Sequence, residues 1–120
     1  MGDRGNIVMQ WPDNQQVCFY THWGGSEIKE IVAQALNSKA GKGRWGDPIY
    51  LARIVFEHLR DESETDPVGE REAGYGISPD LGYNDNEHEV VYIDVKDLTV
   101  REGHGLNVSF EEWIGRFLPK

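Results

Sequence analysis

The sequence predicts an α+β fold: a mainly antiparallel sheet of four or five strands, with two central helices and a C-terminal helix packed on it. Three observations carry this. Apolar, β-branched and aromatic residues come in two adjacent short runs near the start and in a third run after residue 88. Three other segments space their apolar residues three and four apart, as helices with one buried stripe do. The order strand, strand, helix, helix, short strand, hairpin, helix lacks the strand–helix alternation of a parallel doubly wound sheet. At 120 residues and 38% hydrophobic content, the chain fits one globular domain, 1–120, with a single core.

Taken in order, Asn6–Trp11 and Val17–His22 read as the arms of an antiparallel hairpin, turned by Pro12-Asp13-Asn14. Tyr20-Thr21-His22-Trp23-Gly24-Gly25 is then a strand-to-helix junction, which exposes side chains and unpaired N–H groups where a binding site is readily built. From Ser26 the stripe Ile28, Ile31, Val32, Ala35 and Leu36 predicts a helix ending near Lys39 to Gly41. Gly41–Gly46 reads as a loop. Asp47-Pro48 caps a second helix through Leu51, Ile54, Val55 and Leu59 to about Arg60.

Residues 61–74 hold six acidic side chains, one arginine and one proline without apolar periodicity, and predict an exposed acidic loop. Tyr75-Gly76-Ile77 predicts a weak strand. Glu89–Val95 is the strongest strand signal, and Leu98–Arg101 pairs back on it through a turn near Lys96-Asp97. Ser109-Phe110-Glu111-Glu112 is a capping box that opens a last helix, with Phe110, Trp113, Ile114, Phe117 and Leu118 on its apolar stripe.

The net charge of −9 is uneven: residues 1–60 carry seven basic and six acidic groups, residues 61–120 five basic and fifteen acidic. That surplus repels phosphate backbones, so direct nucleic-acid binding is not expected; it either solubilises the chain or faces a basic partner. No apolar run approaches the ~20 residues of a membrane span, and Met1-Gly2-Asp3-Arg4-Gly5 lacks a signal-peptide stretch, so the expected location is the cytoplasm. Asn6 stands where a myristoylation motif needs Ser or Thr. Cys18 is the only cysteine, which leaves no internal disulfide or multi-cysteine zinc site and suits a small packing residue.

No complete catalytic or metal motif is present, and neither a catalytic set nor a cofactor is expected. His22, at a strand end, has the chemistry of a general base but no neighbouring nucleophile or carboxylate fixed by local spacing; structural, ligand-binding and catalytic roles stay open. Gly41-Lys42-Gly43-Arg44 is only loosely like a phosphate loop, because a helix rather than a strand precedes it. Lys42 and Arg44 beside Trp45 can still hold an anion against a flat ring, though a plain connector explains them too. His58, His88 and His104 lack metal-ligand spacing, and in Glu87-His88-Glu89 strand alternation puts the acids opposite the histidine. Tyr75, Tyr83 and Tyr92 suit cross-strand packing as well as stacking on a ligand.

The segments Tyr20-Thr21-His22-Trp23-Gly24-Gly25, Gly43-Arg44-Trp45-Gly46-Asp47-Pro48-Ile49-Tyr50-Leu51-Ala52-Arg53 and Gly74-Tyr75-Gly76-Ile77-Ser78, with the opening Gly2-Asp3-Arg4-Gly5-Asn6-Ile7, resemble small phage and prophage-type proteins that carry a Tyr-Thr-His-Trp-x-Gly segment. The resemblance covers most of residues 1–100. It implies a mobile-element setting and no mechanism. Small acidic proteins of that setting are similar in kind to inhibitors of host defence, including anti-CRISPR proteins, some of which imitate nucleic acid. The acidic stretch 61–74 departs from the pattern.

Two expectations follow. The first is a binding protein, non-enzymatic, in the host cytoplasm if phage-encoded, whose Asp61, Glu62, Glu64, Asp66, Glu70, Glu72, Asp85, Glu87 and Glu89 occupy a basic surface of a host protein. The second is a nucleotide or anion pocket made by His22, Trp23, Lys42, Arg44 and Trp45, with an enzyme as its further extension, and it requires the junction and the helix–helix loop to meet. A homodimer is expected only if Trp113 and Phe117 face outward rather than into the core.

Overall fold

The computed structural model describes residues 3–60, 74–81 and 86–118. The predicted acidic loop therefore lies almost wholly outside the described residues, as do Tyr83 and Asp85. The elements run β1 (Gly5–Trp11), β2 (Gln15–Thr21), α1 (Ile28–Asn37), α2 (Lys39–Lys42), α3 (Pro48–Leu59), β3 (Tyr75–Ser78), β4 (Val91–Asp94), β5 (Thr99–Glu102), β6 (Val108–Ser109) and α4 (Phe110–Phe117). The α+β class stands.

The sheet has six strands, ordered β3-β2-β1-β4-β5-β6, not four or five. It is also mixed: β1 and β4 are parallel, with Ile7 opposite Val91 and Met9 opposite Ile93, while the other neighbours are antiparallel. The sequence shows where strands are but not which way a distant strand runs, and β4 reaches β1 from more than eighty residues away. The sixth strand escaped prediction because Val108–Ser109 is two residues long and abuts the cap of α4.

The first hairpin forms as expected, though its second arm runs Gln15–Thr21 rather than Val17–His22, with Gly5 opposite Thr21 and Trp11 opposite Gln15. Its turn places Asp13 and Asn14 at φ +66 and +60, left-handed conformations that short polar side chains tolerate. The first predicted helix is broken. Ser38 is extended, and its Oγ accepts from the Gly41 N–H at 2.9 Å, so a new four-residue turn, α2, starts where a single helix was expected to end. Asp47 caps α3 and Ser109 caps α4, both as expected.

Strand alternation gives the sheet two unlike faces. One carries Ile7, Met9, Phe19, Val91, Ile93 and Val100, which join Val32 and Leu36 of α1, Leu51 and Val55 of α3, and Phe110 and Trp113 of α4 in one core. Burying each such side chain contributes about 1.5–3 kcal/mol, so this layer supplies most of the fold's stability. Trp113 is 2% exposed, and its Nε1–H donates to the Lys29 carbonyl at 3.1 Å, fastening α4 to α1. Trp45 does the same after α2: its ring packs edge-on against Phe110 at 5.3 Å and its Nε1–H donates to Leu36 O at 3.0 Å.

The second face carries Asn6, Val8, Cys18, Tyr20, Tyr92 and Arg101. Val8 and Cys18 are buried there, and burial, with the Asp80 charge, pushes the Cys18 thiol pKa up. Cys18 is the small packing residue expected. Among the described residues no helix is long and apolar enough to cross a membrane.

Candidate functional site

At the strand-to-helix junction, Thr21 is buried and its Oγ1 accepts the Gly24 N–H at 3.0 Å, which folds the chain back toward α1. His22 is tied to its surroundings through its backbone and one face of its ring. Its N–H donates to Gly74 O at 2.8 Å, its carbonyl accepts from Asp3 N–H at 2.7 Å, its Nδ1 shares a hydrogen bond with Tyr20 OH at 3.1 Å, and its ring lies edge-on to Trp23 at 4.2 Å. Trp23 stays 49% exposed.

The other half of the expected pocket sits elsewhere. Arg44 is ion-paired with Asp47 at 3.2 Å and stacked over Tyr50 at 4.3 Å, Lys42 is exposed, and Trp45 is the core-covering wedge described above. His22 and Trp23 precede α1 while Lys42, Arg44 and Trp45 follow it, with about 15 Å of helix between. The five residues thus fall in two groups, one before α1 and one after it.

A polar corner that sequence reasoning missed forms beside the junction. Gly5 and Gly25 let two backbones meet: a Cβ on Gly25 would lie 2.6 Å from Asp3 O and 2.6 Å from His88 Cδ2, and one on Gly5 2.4 Å from Ile28 Cδ1. Into this corner the Asp3 carboxylate accepts from Ser26 Oγ at 2.6 Å, from Ser26 N–H at 3.0 Å and from His88 Nε2–H. Those bonds, the Ser26 hydroxyl first, hold the Asp3 pKa down at about 2. Ser, Asp and His thus meet, but the carboxylate sits between the other two. A hydrolytic relay needs the imidazole in the middle, so this cluster clamps three segments and activates no hydroxyl.

Next to it, Glu87 accepts from Arg4 N–H at 2.9 Å and Arg4 Nε–H at 3.0 Å, contacts that lower its pKa, the backbone donor first. Asn6 Nδ2–H donates to Asn86 Oδ1 at 3.0 Å. Residues 86–88 are therefore a clamped connection, not the strand that placed the two acids opposite the histidine.

Beyond the corner opens a cleft of about 480 Å³, with Asn86, His88, Glu89, Tyr92, Arg101 and His104 in its lining. Arg101 lies opposite Tyr92 across β4–β5, its guanidinium 4.1 Å above the ring, and its Nε–H donates to Gly103 O at 3.0 Å. Gly103 has φ +54, and a Cβ there would fall 1.9 Å from Glu89 Oε2, so the missing side chain is the space the Glu89 carboxylate occupies. Among the described residues no group of three His, Cys, Asp or Glu is placed to hold a metal.

Of the nine acids expected to meet a partner, Glu87 already serves Arg4, Glu89 lines the cleft, and the other seven lie outside the described residues. Arg101 and Gly103 were missed because their roles depend on strand pairing; Asp3 and His88 were missed because 85 positions separate them. A scan against protein-family models, a search of curated proteins and a search of solved structures each return no match.

Proposed function

We propose that this chain is a small, non-enzymatic binding protein of phage or prophage type that occupies a basic surface of a host protein, in the manner of anti-CRISPR and other anti-defence inhibitors. The observation that carries the reading is the segregation of charge: the second half of the chain holds fifteen acidic groups against five basic ones. In the described frame, Arg4, Lys29 and Arg116 each neutralise one carboxylate of the second half, Glu87, Glu102 and Glu112, and the reading rests on the acids left over, foremost the six of residues 61–74 against one arginine. Such a surface speeds association with a basic partner and depends on ionic strength. With Trp113 in the core, its apolar ring is spent within the chain, and a second copy is not required by this reading.

The test is capture from host lysate at low and high salt with the wild-type chain and with a variant in which Asp61, Glu62, Glu64, Asp66, Glu70 and Glu72 are replaced by Asn or Gln. The expected result is a protein partner held by the wild type at low salt and lost from the neutralised variant, with inhibition of the captured protein's nucleic-acid binding. Absence of any salt-sensitive partner, or equal capture by the variant, overturns the proposal.

A further inference from the structure

We propose that the cleft between Glu89 and Arg101 binds a small zwitterion of α-amino-acid type, with the ligand carboxylate on Arg101 and its ammonium on Glu89. This site shares Glu89 with the acidic half of the chain but is tested apart from it, with small ligands rather than a protein partner.

Arg101 is prepared for the carboxylate. Its Nε–H is committed to Gly103 O and its plane is fixed on the Tyr92 ring, while its two terminal nitrogens have no partner among the described residues. A guanidinium held this way presents a planar fork that matches a carboxylate with two parallel hydrogen bonds, and little side-chain freedom remains to be lost on binding. Glu89 is prepared for the ammonium. Its carboxylate fills the place beside Gly103, two residues along from Arg101, and both side chains line the same cleft. Yet Glu89 and Arg101 form no ion pair with each other among the described residues. Two opposite charges in one cleft, each held short of the other, suit a ligand that carries both.

The remaining chemistry narrows the class. The cleft, at about 480 Å³, falls within the roughly 300–1,000 Å³ of small-molecule sites. Glu89 in the lining and a net charge of −9 disfavour a polyphosphate, which would bring several negative charges to one guanidinium. A plain cation would leave Arg101 facing it. An α-amino acid satisfies both ends at once, and His88 and His104 at the margin can contact its side chain.

The experiment is a nuclear magnetic resonance titration of the full chain, ¹⁵N-labelled, that follows the Arg101 Nε–H and the Gly103 and Tyr92 amides. The probes are the L-amino acids, with propionate and butylamine as single-charge controls. The expected result is saturable shifts with one or more amino acids and binding at least about tenfold weaker, or about 1.4 kcal/mol, for the N-acetyl or carboxamide derivative of the same amino acid. Arg101→Gln and Glu89→Gln should each weaken binding by a similar factor, and Arg101→Lys should restore only part of it. No shift with any amino acid overturns the proposal. Propionate binding as tightly as the amino acid, or affinity unchanged in Glu89→Gln, also overturns it in favour of a simple anion site. Should Arg101→Gln unfold, the wild-type comparison of amino acid with its two blocked derivatives decides the question alone.

Discussion

The two faces of the sheet solve opposite problems with strands that share a backbone. The helix side presents Ile7, Met9, Phe19, Val91, Ile93 and Val100 to α1, α3 and α4, and closes around Trp113 with its indole N–H and that of Trp45 each bonded to a helix carbonyl. The far side presents Asn6, Tyr20, Tyr92 and Arg101, and at its corner it is fastened by charge-assisted bonds through Asp3 and Glu87. Non-directional burial holds the first; directional contacts, sensitive to pH and salt, hold the second. The difference separates where the protein is stable from where it has chemistry to offer.

If that division is right, mutations on the two sides should rank by mechanism. Trp113→Ala, which empties the helix side, should cost roughly 3–5 kcal/mol in chemical denaturation, a large share of the about 5–15 kcal/mol expected of a domain this size. An unchanged midpoint would place Trp113 at an interface and erase the distinction. Gly25→Ala tests the seam between the two sides. Its Cβ would meet backbone at Asp3 and the His88 ring, neither of which yields easily, and a loss of about 1–3 kcal/mol is expected on the same denaturation curve.

The corner should then reveal itself by acid. The Asp3 carboxyl titrates at about 2 in the fold against an ordinary 3.8, so folding favours its ionised form. The contribution is complete above about pH 4 and is lost as pH falls through 2. Asp3→Asn should lower stability by about 1 kcal/mol at neutral pH, and the gap between mutant and wild-type urea midpoints should close on acidification. A gap constant from pH 6 to pH 2 would show that the carboxylate is not what fastens the corner. The smallest effect belongs to Arg101→Gln. It removes one half-exposed ring contact and the Nε–H bond to Gly103 O, and should cost no more than about 1 kcal/mol; a larger loss would make Arg101 part of the scaffold rather than of a recognition surface.

These differences track what the sequence could disclose. The stripes Ile28-Val32-Leu36, Leu51-Val55-Leu59 and Phe110-Trp113-Phe117 announce helices because their partners lie three or four residues away, and the capping residues Asp47 and Ser109 sit where a capping rule finds them. The break at Ser38 was hidden, since the apolar spacing runs up to it without interruption and only a side-chain bond to Gly41 ends the helix. The parallel β1–β4 pairing left no local mark either, because alternation in Val91–Ile93 is the same for both directions. The cleft follows from that pairing. Arg101 is unremarkable as a residue in a strand, and it gains meaning only when Tyr92 lies beneath it and Gly103 leaves room for Glu89. His22, an imidazole at a strand end, left structural, ligand-binding and catalytic roles open, and its contacts with Tyr20, Gly74 and Asp3 rest partly on residues too far along the chain for local spacing to show.

The place of β1 has a consequence for how the chain reaches this state. It lies inside the sheet, with β2 on one flank and β4 on the other, so a strand made among the first residues waits for Val91–Asp94 before its second row of hydrogen bonds can close. During synthesis the β1–β2 hairpin therefore has one apolar edge without a partner until most of the chain has emerged, and α4, which shields the core through Trp113, arrives later still. Contacts of such long sequence separation slow folding and lengthen the exposure of unpaired edges. Production in a cell should respond to the speed of translation and to chaperone supply more than the modest length of the protein would suggest, and a fragment that stops before β4 should collect in aggregates even though it contains the first hairpin and three of the helices.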